Sequence, residues 1–323
     1  MEKVIPKLSS SKLELLENCS WSFYARYFLK IPQKGNSGSL RGTCVHSVLD
    51  FLAKPKRVTW IKEITDVKDA YFKKSLEIYI KKYIAKWSLT EDDEILIKTM
   101  ILVALNHDFL FQDLPNSKML QTELKFDWVN ENPRYSITGF IDRPVLYDDN
   151  RVMARDFKGS KAKYNPNYLY GATQGFMYSL ALTKLYPERK PTVEFLFLRF
   201  PKKPVQTFET TPKRLRGFEF YLEEVTKFIE DFTEVKAKGN FAKNNPEKRW
   251  LCGKEGSNFC CEARKPLDYW VIIDDNKIVK GAFTREELEK ILKTNQSIEA
   301  KHYPGCPAWY KPKPKFRHPD ENF

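Results

Sequence analysis

The chain has 323 residues, which is enough for one elaborated domain or for two, with a substantial core. Hydrophobic residues make up 42% and charged residues 30%, a balance that excludes a disordered chain, and no apolar run is long enough to cross a membrane. The formal net charge of +13 favours a polyanionic partner, with nucleic acid ahead of an acidic membrane surface.

The N-terminal residues bear on where the protein works. Residues 1–16 lack the apolar core of a secretory signal, so we expect a cytoplasmic protein. In that compartment the six cysteines are expected to be reduced, or to serve as ligands, rather than to form disulfides.

The first third of the chain is predicted to be helical. Apolar residues at helical spacing predict one helix over residues 13–27, with Cys19 on or beside its apolar face, where a free cysteine is often a small buried hydrophobe. After a Gly/Pro/Ser loop, a second helix over residues 42–52 carries His46. Residues 61–111 are predicted to be helical throughout, with lysines interspersed among aromatic and aliphatic residues.

Strand patterns dominate the centre of the chain. Residues 119–129 are predicted to form a strand that carries Glu123, and residues 135–147 alternate with a period near two. An Asp-Asp-Asn turn joins this second strand to a third over residues 152–157. The resulting hairpin is the stretch around which the remaining motifs are arranged.

Three charged side chains of this hairpin form the candidate site. Asp156 and Lys158 are two apart in a strand and share a face, while Asp142 lies on the neighbouring strand. If the strands pair across the turn, two carboxylates and an amine converge at one end of the sheet, which is enough to hold a hard divalent cation beside a water. The alternative is a solvated ion pair on an exposed strand, and the hairpin alone leaves it open.

The elements that follow add two polar residues at helical spacing. A predicted helix over residues 168–185 puts Gln174 and Tyr178 four apart and therefore on one face. An apolar strand over residues 192–200 and a long amphipathic helix over residues 211–238 come next.

The last quarter of the chain changes in composition. Three cysteines lie within ten positions there: Cys252, Cys260 and Cys261. A hairpin that turns at residues 275–276 and a helix over residues 284–293 are predicted after them. From Lys301 onward the chain is rich in proline, lysine and aromatic residues, which predicts an extended arm.

Four short motifs in chain order resemble the RecB-like branch of the PD-(D/E)XK nuclease superfamily, which includes the CRISPR-associated RecB-like exonucleases and many phage nucleases. The motifs are Gly42-x-x-x-His46, Gly139-Phe-Ile-Asp142-Arg143, Asp156-Phe-Lys158 and Gln174-x-x-x-Tyr178. The resemblance covers roughly residues 9–261. It implies an α/β fold of the restriction-endonuclease-like type, in which helices flank a central mixed sheet, with an N-terminal helical region and a Cys-containing C-terminal segment.

Three regions are expected on this basis. An N-terminal helical region that includes the His46 motif would span residues 1–118, and the nuclease core would span residues 119–245. The C-terminal segment, with the cysteines, the hairpin and the basic proline-rich tail, would span residues 246–323.

The same resemblance implies a set of metal ligands. Asp142 and Asp156 would bind Mg²⁺ or Mn²⁺, with the backbone carbonyl of Phe157 and the imidazole of His46 as further ligands. Hard oxygen donors suit these two ions. Glu123 is a weaker candidate, because an exposed glutamate with no function would occupy the same strand position.

The remaining motif residues are expected to act on the water and the DNA. Lys158 would orient or deprotonate the attacking water and offset charge in the transition state. Gln174 and Tyr178 would complete the catalytic set by supporting the site and contacting DNA. The family often has a threonine after the catalytic lysine, and here Ser160, two positions on, is the hydroxyl that could replace it.

The cysteines resemble those of the iron–sulfur members of the family, in which one cysteine of an N-terminal helix joins three from a C-terminal stretch. Cys19, Cys252, Cys260 and Cys261 would then hold a [4Fe–4S] cluster that joins the two chain ends. The gap after Cys252 is long and the other two are adjacent, so Cys306 could substitute for one of them. Zinc, or a degenerate site without metal, are the alternatives.

The function expected from these motifs is a Mg²⁺- or Mn²⁺-dependent deoxyribonuclease. We expect an exonuclease that acts on single-stranded DNA or duplex ends in recombination, repair or phage DNA metabolism, with a protein partner in a recombination or replication complex and no membrane association. A catalytically silent DNA-binding or assembly subunit that retains the nuclease fold is the first alternative. A basic scaffold protein that binds partners through its cysteine-rich end is the second.

Overall fold

The computed structural model describes residues 6–54, 57, 74–107, 117–254 and 260–310. Its α-helices are α1 Ser10–Asn18, α2 Ser20–Tyr27, α3 Ser37–Leu52, α4 Lys74–Trp87, α5 Glu91–His107, α6 Pro166–Tyr170, α7 Thr173–Leu185, α8 Pro212–Glu230, α9 Glu234–Ala237 and α10 Arg285–Glu289. Its strands are β1 Lys7–Leu8, β2 Ser117–Met119, β3 Leu124–Glu131, β4 Arg134–Ile141, β5 Arg143–Tyr147, β6 Arg151–Lys158, β7 Lys190–Phe197, β8 Val205–Phe208, β9 Leu267–Asp274, β10 Lys277–Ala282 and β11 Ser297–Tyr303.

The chain divides into two compact units. The first contains residues 1–11 and 35–230, and the second contains residues 12–34 and 231–323. Both units combine helices with sheets, so the expected α/β class is confirmed.

Five strands of the first unit form a mixed sheet in the order β2-β5-β6-β7-β8. β6 and β7 are parallel, and the other neighbouring pairs are antiparallel. The parallel pair is connected through α6 and α7, as a parallel pair requires a crossover. β6 is buried along most of its length. Helix α7 packs against one face of the strand, and the β6 side chains on the opposite face belong to the hydrophobic core that the sheet forms with α3, α4 and α5.

The predicted strand over residues 135–147 is in fact two strands that belong to different sheets. β4 pairs with β1 and β3 in a three-stranded sheet, whereas β5 pairs with β6 in the five-stranded sheet. Asp142 is the residue between them. The period-two pattern continues through residue 142, so it gives no sign of the change of partner. The expected pairing across the Asp-Asp-Asn turn is confirmed, with Arg143 opposite Arg155.

The strand predicted over residues 119–129 divides in the same way. β2 joins the five-stranded sheet and β3 joins the three-stranded one. Between them, Glu123 has a φ of 52°, a left-handed conformation that ends a regular strand. Two chain segments therefore pass from one sheet to the other side by side, and the N–H of Glu123 donates to the carbonyl of Asp142 over 3.1 Å.

Several predicted helices are shorter than the apolar periodicity indicated. The helix predicted over residues 13–27 breaks at Cys19, whose backbone is extended and whose Sγ accepts the N–H of Ser22 over 3.4 Å, so that the cysteine caps α2. α3 begins at Ser37 rather than residue 42, because Asn36 caps it. These side chains satisfy the free N–H groups of a helix start, which apolar spacing does not reveal.

Further breaks lie in the other long helices. The helix predicted over residues 61–111 is α4 and α5 where it is described, separated at Ser88, which has a φ of 50°. The single helix predicted over residues 168–185 is divided into α6 and α7. The single helix predicted over residues 211–238 is divided into α8 and α9, and Thr233 caps α9.

The second unit contains an antiparallel sheet in the order β10-β9-β11. Its hairpin turns at Asp275 and Asn276, both with positive φ, as a tight two-residue turn requires. The prediction of an extended arm from Lys301 is wrong for residues 301–303. These residues are the end of β11, which pairs with the edge of β9. Residues 311–323 of that arm lie outside the described residues. No helix in the described part of the chain is long and apolar enough to cross a membrane.

Helix α2 packs against distant parts of the second unit. The Trp21 Nε1 donates to the Tyr303 hydroxyl over 2.7 Å, and that hydroxyl donates to the carbonyl of Ala263 over 2.7 Å. The Ser20 hydroxyl donates to the carbonyl of Ala237 over 2.8 Å. These buried bonds connect an early segment of the chain to its last quarter.

Candidate active site

Asp142 lies at the junction of the two sheets, directly before β5. Its side chain is 8% exposed, and its Oδ2 accepts the backbone N–H of Phe157 over 2.9 Å. The antiparallel register places Asp142 across from the end of β6, which brings the two aspartate-bearing strands together as the sequence predicted.

His46 of α3 reaches the same place from the helical layer. Its Nε2 lies 3.1 Å from the carbonyl oxygen of Phe157, and its Nδ1 lies 3.4 Å from Asp142 Oδ2 and 3.9 Å from Glu123 Oε1. The ring therefore faces a carbonyl and two carboxylates, which are oxygen donors that a metal ion could share with it.

Glu123 is the site residue that the sequence underrated. Its ligand atom and those of His46 and Asp142 all lie within 4.8 Å of one another, the one such group of three in the described part of the chain. Its position depends on the left-handed backbone at residue 123. A residue in such a conformation is often held at a functional site. The one sign of this role in the sequence was a carboxylate residue placed directly before a strand.

Asp156 and Lys158 point towards α7, where they meet the helix motif. Lys158 Nζ lies 2.6 Å from Asp156 Oδ2 and donates to Gln174 Oε1 over 2.5 Å. The Gln174 amide donates to Asp156 Oδ1 over 2.7 Å and to the Tyr178 hydroxyl over 2.9 Å, and that hydroxyl donates to Asp156 Oδ1 over 3.0 Å. All four side chains form one closed hydrogen-bonded cluster.

The backbone of Phe157 connects the two groups. Its N–H bonds Asp142 and its carbonyl contacts His46, while its sequence neighbours Asp156 and Lys158 belong to the cluster on α7. The site thus has a His–carboxylate group at one side of the end of β6 and a carboxylate–amine cluster at the other.

Gly175 allows α7 to approach closely enough for this contact. A Cβ at that position would lie 2.5 Å from the ring of Phe208 on β8. A side chain there would push the helix, and with it Gln174, away from the sheet.

Burial and charge shift the proton affinities of the His–carboxylate group. Burial lowers the pKa of His46, but the facing carboxylate of Asp142 outweighs it and raises the pKa to about 9. Burial and the nearby charge of Asp142 raise the pKa of Glu123 to about 7. A cation placed between these groups would relieve the repulsion between the two carboxylates.

The cluster on α7 is buried more deeply. Burial raises the pKa of Asp156, and the adjacent Lys158 opposes the rise. Burial would lower the pKa of Lys158, but Asp156 outweighs it and raises the pKa. Burial and the Asp156 charge both raise the pKa of Tyr178, so its hydroxyl stays protonated as a hydrogen-bond donor.

The donor set fits a hard divalent cation. Two carboxylates, one backbone carbonyl and one imidazole converge at the end of β6, and Mg²⁺ and Mn²⁺ prefer such oxygen-rich sets. A cleft of about 550 Å³ opens beside this group and is lined by His46, Asp50 and Glu123. Asp156 lies outside the compact group of three and is bonded to Lys158 instead.

Ser160 lies apart from these contacts. It is exposed, and its hydroxyl donates to the carbonyl of Ala162 over 2.8 Å within the loop after β6. In this structure the Ser160 hydroxyl therefore bonds the loop backbone and does not contact the site residues.

Five of the cysteines lie in the second unit. Cys19 caps α2 at Ser22, and the Ser22 hydroxyl lies 3.9 Å from Cys261 Sγ. The Cys261 N–H donates to the Cys252 carbonyl over 3.2 Å, and residues 253 and 260 form a strand-like bridge that closes the long gap between the cysteines. In the described part of the chain, no three cysteine sulfurs lie within 4.8 Å of one another.

Cys306 lies close enough to Cys19 and Cys252 for their charges to act on it. Burial raises its pKa to about 11, and the nearby Cys19 and Cys252 add to the rise. Burial raises the pKa of Cys261 to about 12, with Cys19 again contributing. Cys19 is therefore electrostatically coupled to Cys252, Cys261 and Cys306.

Comparison with known proteins agrees with this geometry. The family model of the PD-(D/E)XK nuclease superfamily matches residues 7–263, which is more than half of the chain. The chain belongs to the PD-(D/E)XK nuclease superfamily. No curated protein matches it significantly. A solved structure described as "Crystal structure of SSO0001" is 14% identical and covers 59% of this chain and 84% of its own, but its TM-score of 0.29 supports no further argument.

Proposed function

We propose that the protein is a Mg²⁺- or Mn²⁺-dependent deoxyribonuclease that hydrolyses phosphodiester bonds. One observation carries the proposal: the ligand group of His46, Glu123 and Asp142 and the cluster of Asp156 with Lys158 lie on the two sides of the Phe157 backbone. A phosphate at the end of β6 would meet both metal ligands and an ammonium group there.

Each residue has a role that its contacts support. His46, Glu123, Asp142 and the carbonyl of Phe157 would hold the cation. Asp156, whose carboxylate is paired with Lys158 in this structure, would be the further ligand that the resemblance of the motifs implies. Bound there, the cation would make hydroxide available near neutral pH and stabilise charge on the scissile phosphate.

The cluster on α7 would serve the attacking water. Lys158 would orient that water, and its ammonium would offset the negative charge that develops on the phosphate. Gln174 and Tyr178 would keep the Asp156 carboxylate and the Lys158 ammonium in place through the bonds they make to them.

The substrate class follows from charge and from the resemblance of the motifs. The net charge of +13 supplies attraction to phosphates that does not depend on sequence. We propose an exonuclease on single-stranded DNA or duplex ends, which acts in recombination, repair or phage DNA metabolism.

The test compares wild type with Asp142→Asn on labelled linear and circular DNA, single- and double-stranded, with Mg²⁺, Mn²⁺ or EDTA. Asparagine retains an oxygen for the Phe157 N–H but removes the charge, so we expect a rate lower by about 100-fold or more with an unchanged fold. Asp149→Asn is the matched control, since Asp149 is 57% exposed in the turn between β5 and β6.

The outcomes separate the proposed activities. Cleavage of linear but not circular DNA supports an exonuclease, and cleavage of circles contradicts it. Binding of DNA without cleavage under any metal would replace the proposal with a silent DNA-binding subunit.

We also propose that the second unit holds a [4Fe–4S] cluster on Cys19, Cys252, Cys261 and Cys306. Four thiolates with one from each of four separate segments can surround a cubane, and a cubane holds its thiolates farther apart than a single ion does. Two contacts support Cys306 in place of Cys260: the Cys306 N–H donates to the carbonyl of Arg264, and the Cys261 N–H donates to the carbonyl of Cys252. The charge of Cys19 also acts on Cys252, Cys261 and Cys306.

Anaerobic purification with iron and sulfide assays tests the cluster. Cys261→Ser and Cys306→Ser are expected to lose iron and the visible charge-transfer absorbance, and Cys260→Ser is the adjacent control that retains both. A colourless wild-type protein without iron refutes the cluster, and iron loss in Cys260→Ser but not Cys306→Ser refutes the assignment.

A further inference from the structure

A second cleft of the first unit lies beside the helix that carries Gln174. It has a volume of about 460 Å³, and its lining includes Leu169, Tyr170, Thr210 and Arg214. α6 ends at Tyr170, four residues before Gln174, so the cleft and the catalytic cluster share one short stretch of chain.

The ring of Tyr170 is open to solvent on one face. The Arg214 Cζ lies 3.8 Å from the ring centroid, so the guanidinium covers one face of the ring. The residue is nevertheless 67% exposed. An aromatic ring that is backed by a fixed group and open on its other face is a surface on which a flat apolar group can stack.

The Arg214 guanidinium is fixed in place by backbone and aromatic contacts. Its Nη1 donates to the carbonyl of Glu209 over 2.8 Å, its Nη2 donates to the carbonyl of Tyr170, and it also lies over the ring of Phe176. A guanidinium has five N–H groups, so some remain for an anion.

The charge around Arg214 is unbalanced. Lys213, Arg214 and Arg216 all lie at the start of α8, and the first turn of that helix contains no acidic residue. Against these three cations, Glu209 is the one carboxylate among the described residues that line the cleft. The N-terminal end of a helix carries a partial positive charge. The three cations therefore repel the helix end as well as one another, and a bound anion would reduce this repulsion.

Thr210 supplies a second group that lacks a partner. Its hydroxyl is buried and makes no hydrogen bond to the residues that the structure describes. Buried polar groups are nearly always bonded, and Thr210 lines the cleft, so its hydroxyl would gain a partner if the side chain turned towards a molecule bound there.

We propose that this cleft binds one nucleotide of a single-stranded DNA substrate. The base stacks on the open face of Tyr170, and the adjacent phosphate accepts hydrogen bonds from Arg214 and Thr210. Single strands are selected because the bases of a duplex already stack on one another and leave no free face. The inference rests on the proposed nuclease function, and it adds where the strand lies beyond the metal site.

The experiment measures binding in EDTA, so that cleavage cannot interfere. Wild type is titrated into a single-stranded oligonucleotide that contains one 2-aminopurine, whose fluorescence falls when the base stacks, and into a labelled duplex of equal length. Tyr170→Ala is expected to lose the quenching and to bind the single strand about 10-fold or more weakly, with duplex binding unchanged. Arg214→Lys keeps the positive charge but loses the planar group that covers the Tyr170 ring. This variant is expected to weaken binding of the single strand less than Tyr170→Ala does.

Phe220→Ala is the matched control, because Phe220 is an exposed aromatic residue on the same helix α8. It should bind and quench as wild type does. If Tyr170→Ala also retains quenching and affinity, or if wild type shows no quenching, the inference is wrong. If wild type binds and quenches but cleaves no DNA with Mg²⁺ or Mn²⁺, the proposed function fails while the subsite stands.

Discussion

The Tyr178 hydroxyl donates a hydrogen bond to Asp156 Oδ1 over 3.0 Å inside the buried cluster on α7. Tyr178→Phe removes this bond and keeps the ring, which packs edge-on against Phe126. A hydrogen bond to a charged group contributes about 1.5–3 kcal/mol, so we expect a lower free energy of unfolding in urea. We also expect about 10-fold slower cleavage, because the bond orients Asp156.

Tyr186→Phe, at the C-terminal end of the same helix, is the control for this change. It should leave both the unfolding free energy and the cleavage rate near wild type. Equal losses in the two variants would show that the Asp156 bond is not the cause.

The close contact of Gly175 with Phe208 predicts a clear cost for an added methyl group. Gly175→Ala should lower the free energy of unfolding by about 1–3 kcal/mol, because the Cβ would overlap the ring. Gly217→Ala on α8 meets no atom within 4 Å among the described residues, so it should raise stability by up to about 1 kcal/mol. Thermal and urea unfolding of the pair measure this difference, and equal effects of the same sign would contradict it.

Lys98 predicts a dependence of stability on pH. Its side chain is 0% exposed in α5, its Nζ lies 2.6 Å from Glu94 Oε1, and burial lowers its pKa from 10.5 to about 8. Between these two values the unfolded chain binds the proton and the folded chain does not, so the stability of wild type should rise with pH in that window.

Lys98→Met removes the titrating group and provides the comparison. The difference in unfolding free energy between wild type and the variant should move in favour of wild type by on the order of 2 kcal/mol from pH 8 to 10.5. Below about pH 7 the difference should be constant, because Lys98 is then protonated in both states. A difference that does not change with pH in the upper window would show that Lys98 keeps its ordinary pKa.

The imidazole in the ligand group predicts a metal preference. His46 adds a nitrogen donor to a set of oxygens, and Mg²⁺ accepts nitrogen less readily than Mn²⁺ does. His46→Ala should therefore raise the Mn²⁺ concentration needed for half-maximal cleavage more than the corresponding Mg²⁺ concentration. Titration of activity with each metal tests this. Equal shifts would contradict the predicted preference, and no shift with either metal would remove His46 from the ligand set.

The sequence predicted the α/β fold and the superfamily because motif order and strand spacing are local signals. It also predicted which side chains meet at the end of β6, since Asp156 and Lys158 share a strand face and Gln174 and Tyr178 share a helix face. It gave little weight to Glu123, because a positive φ and a change of sheet decide its place and neither has a local pattern.

The cysteines illustrate the same limit. The adjacent pair at 260 and 261 was expected to supply two ligands, whereas the structure brings Cys306 to the same segment, because the Cys306 N–H donates to the carbonyl of Arg264 over 3.2 Å. Their proximity depends on how β11 pairs with β9, which sequence periodicity does not determine. The roles of both cysteines and of the nuclease residues remain predictions.

The bond between Trp21 and Tyr303 has a practical consequence for shortened forms of the protein. Cutting the chain at residue 263, where the family match ends, would remove the partner of Trp21 and leave an apolar surface of α2 exposed to water. Such a fragment is expected to aggregate during expression. A truncation that keeps residues 12–34 therefore has to keep the last strand as well.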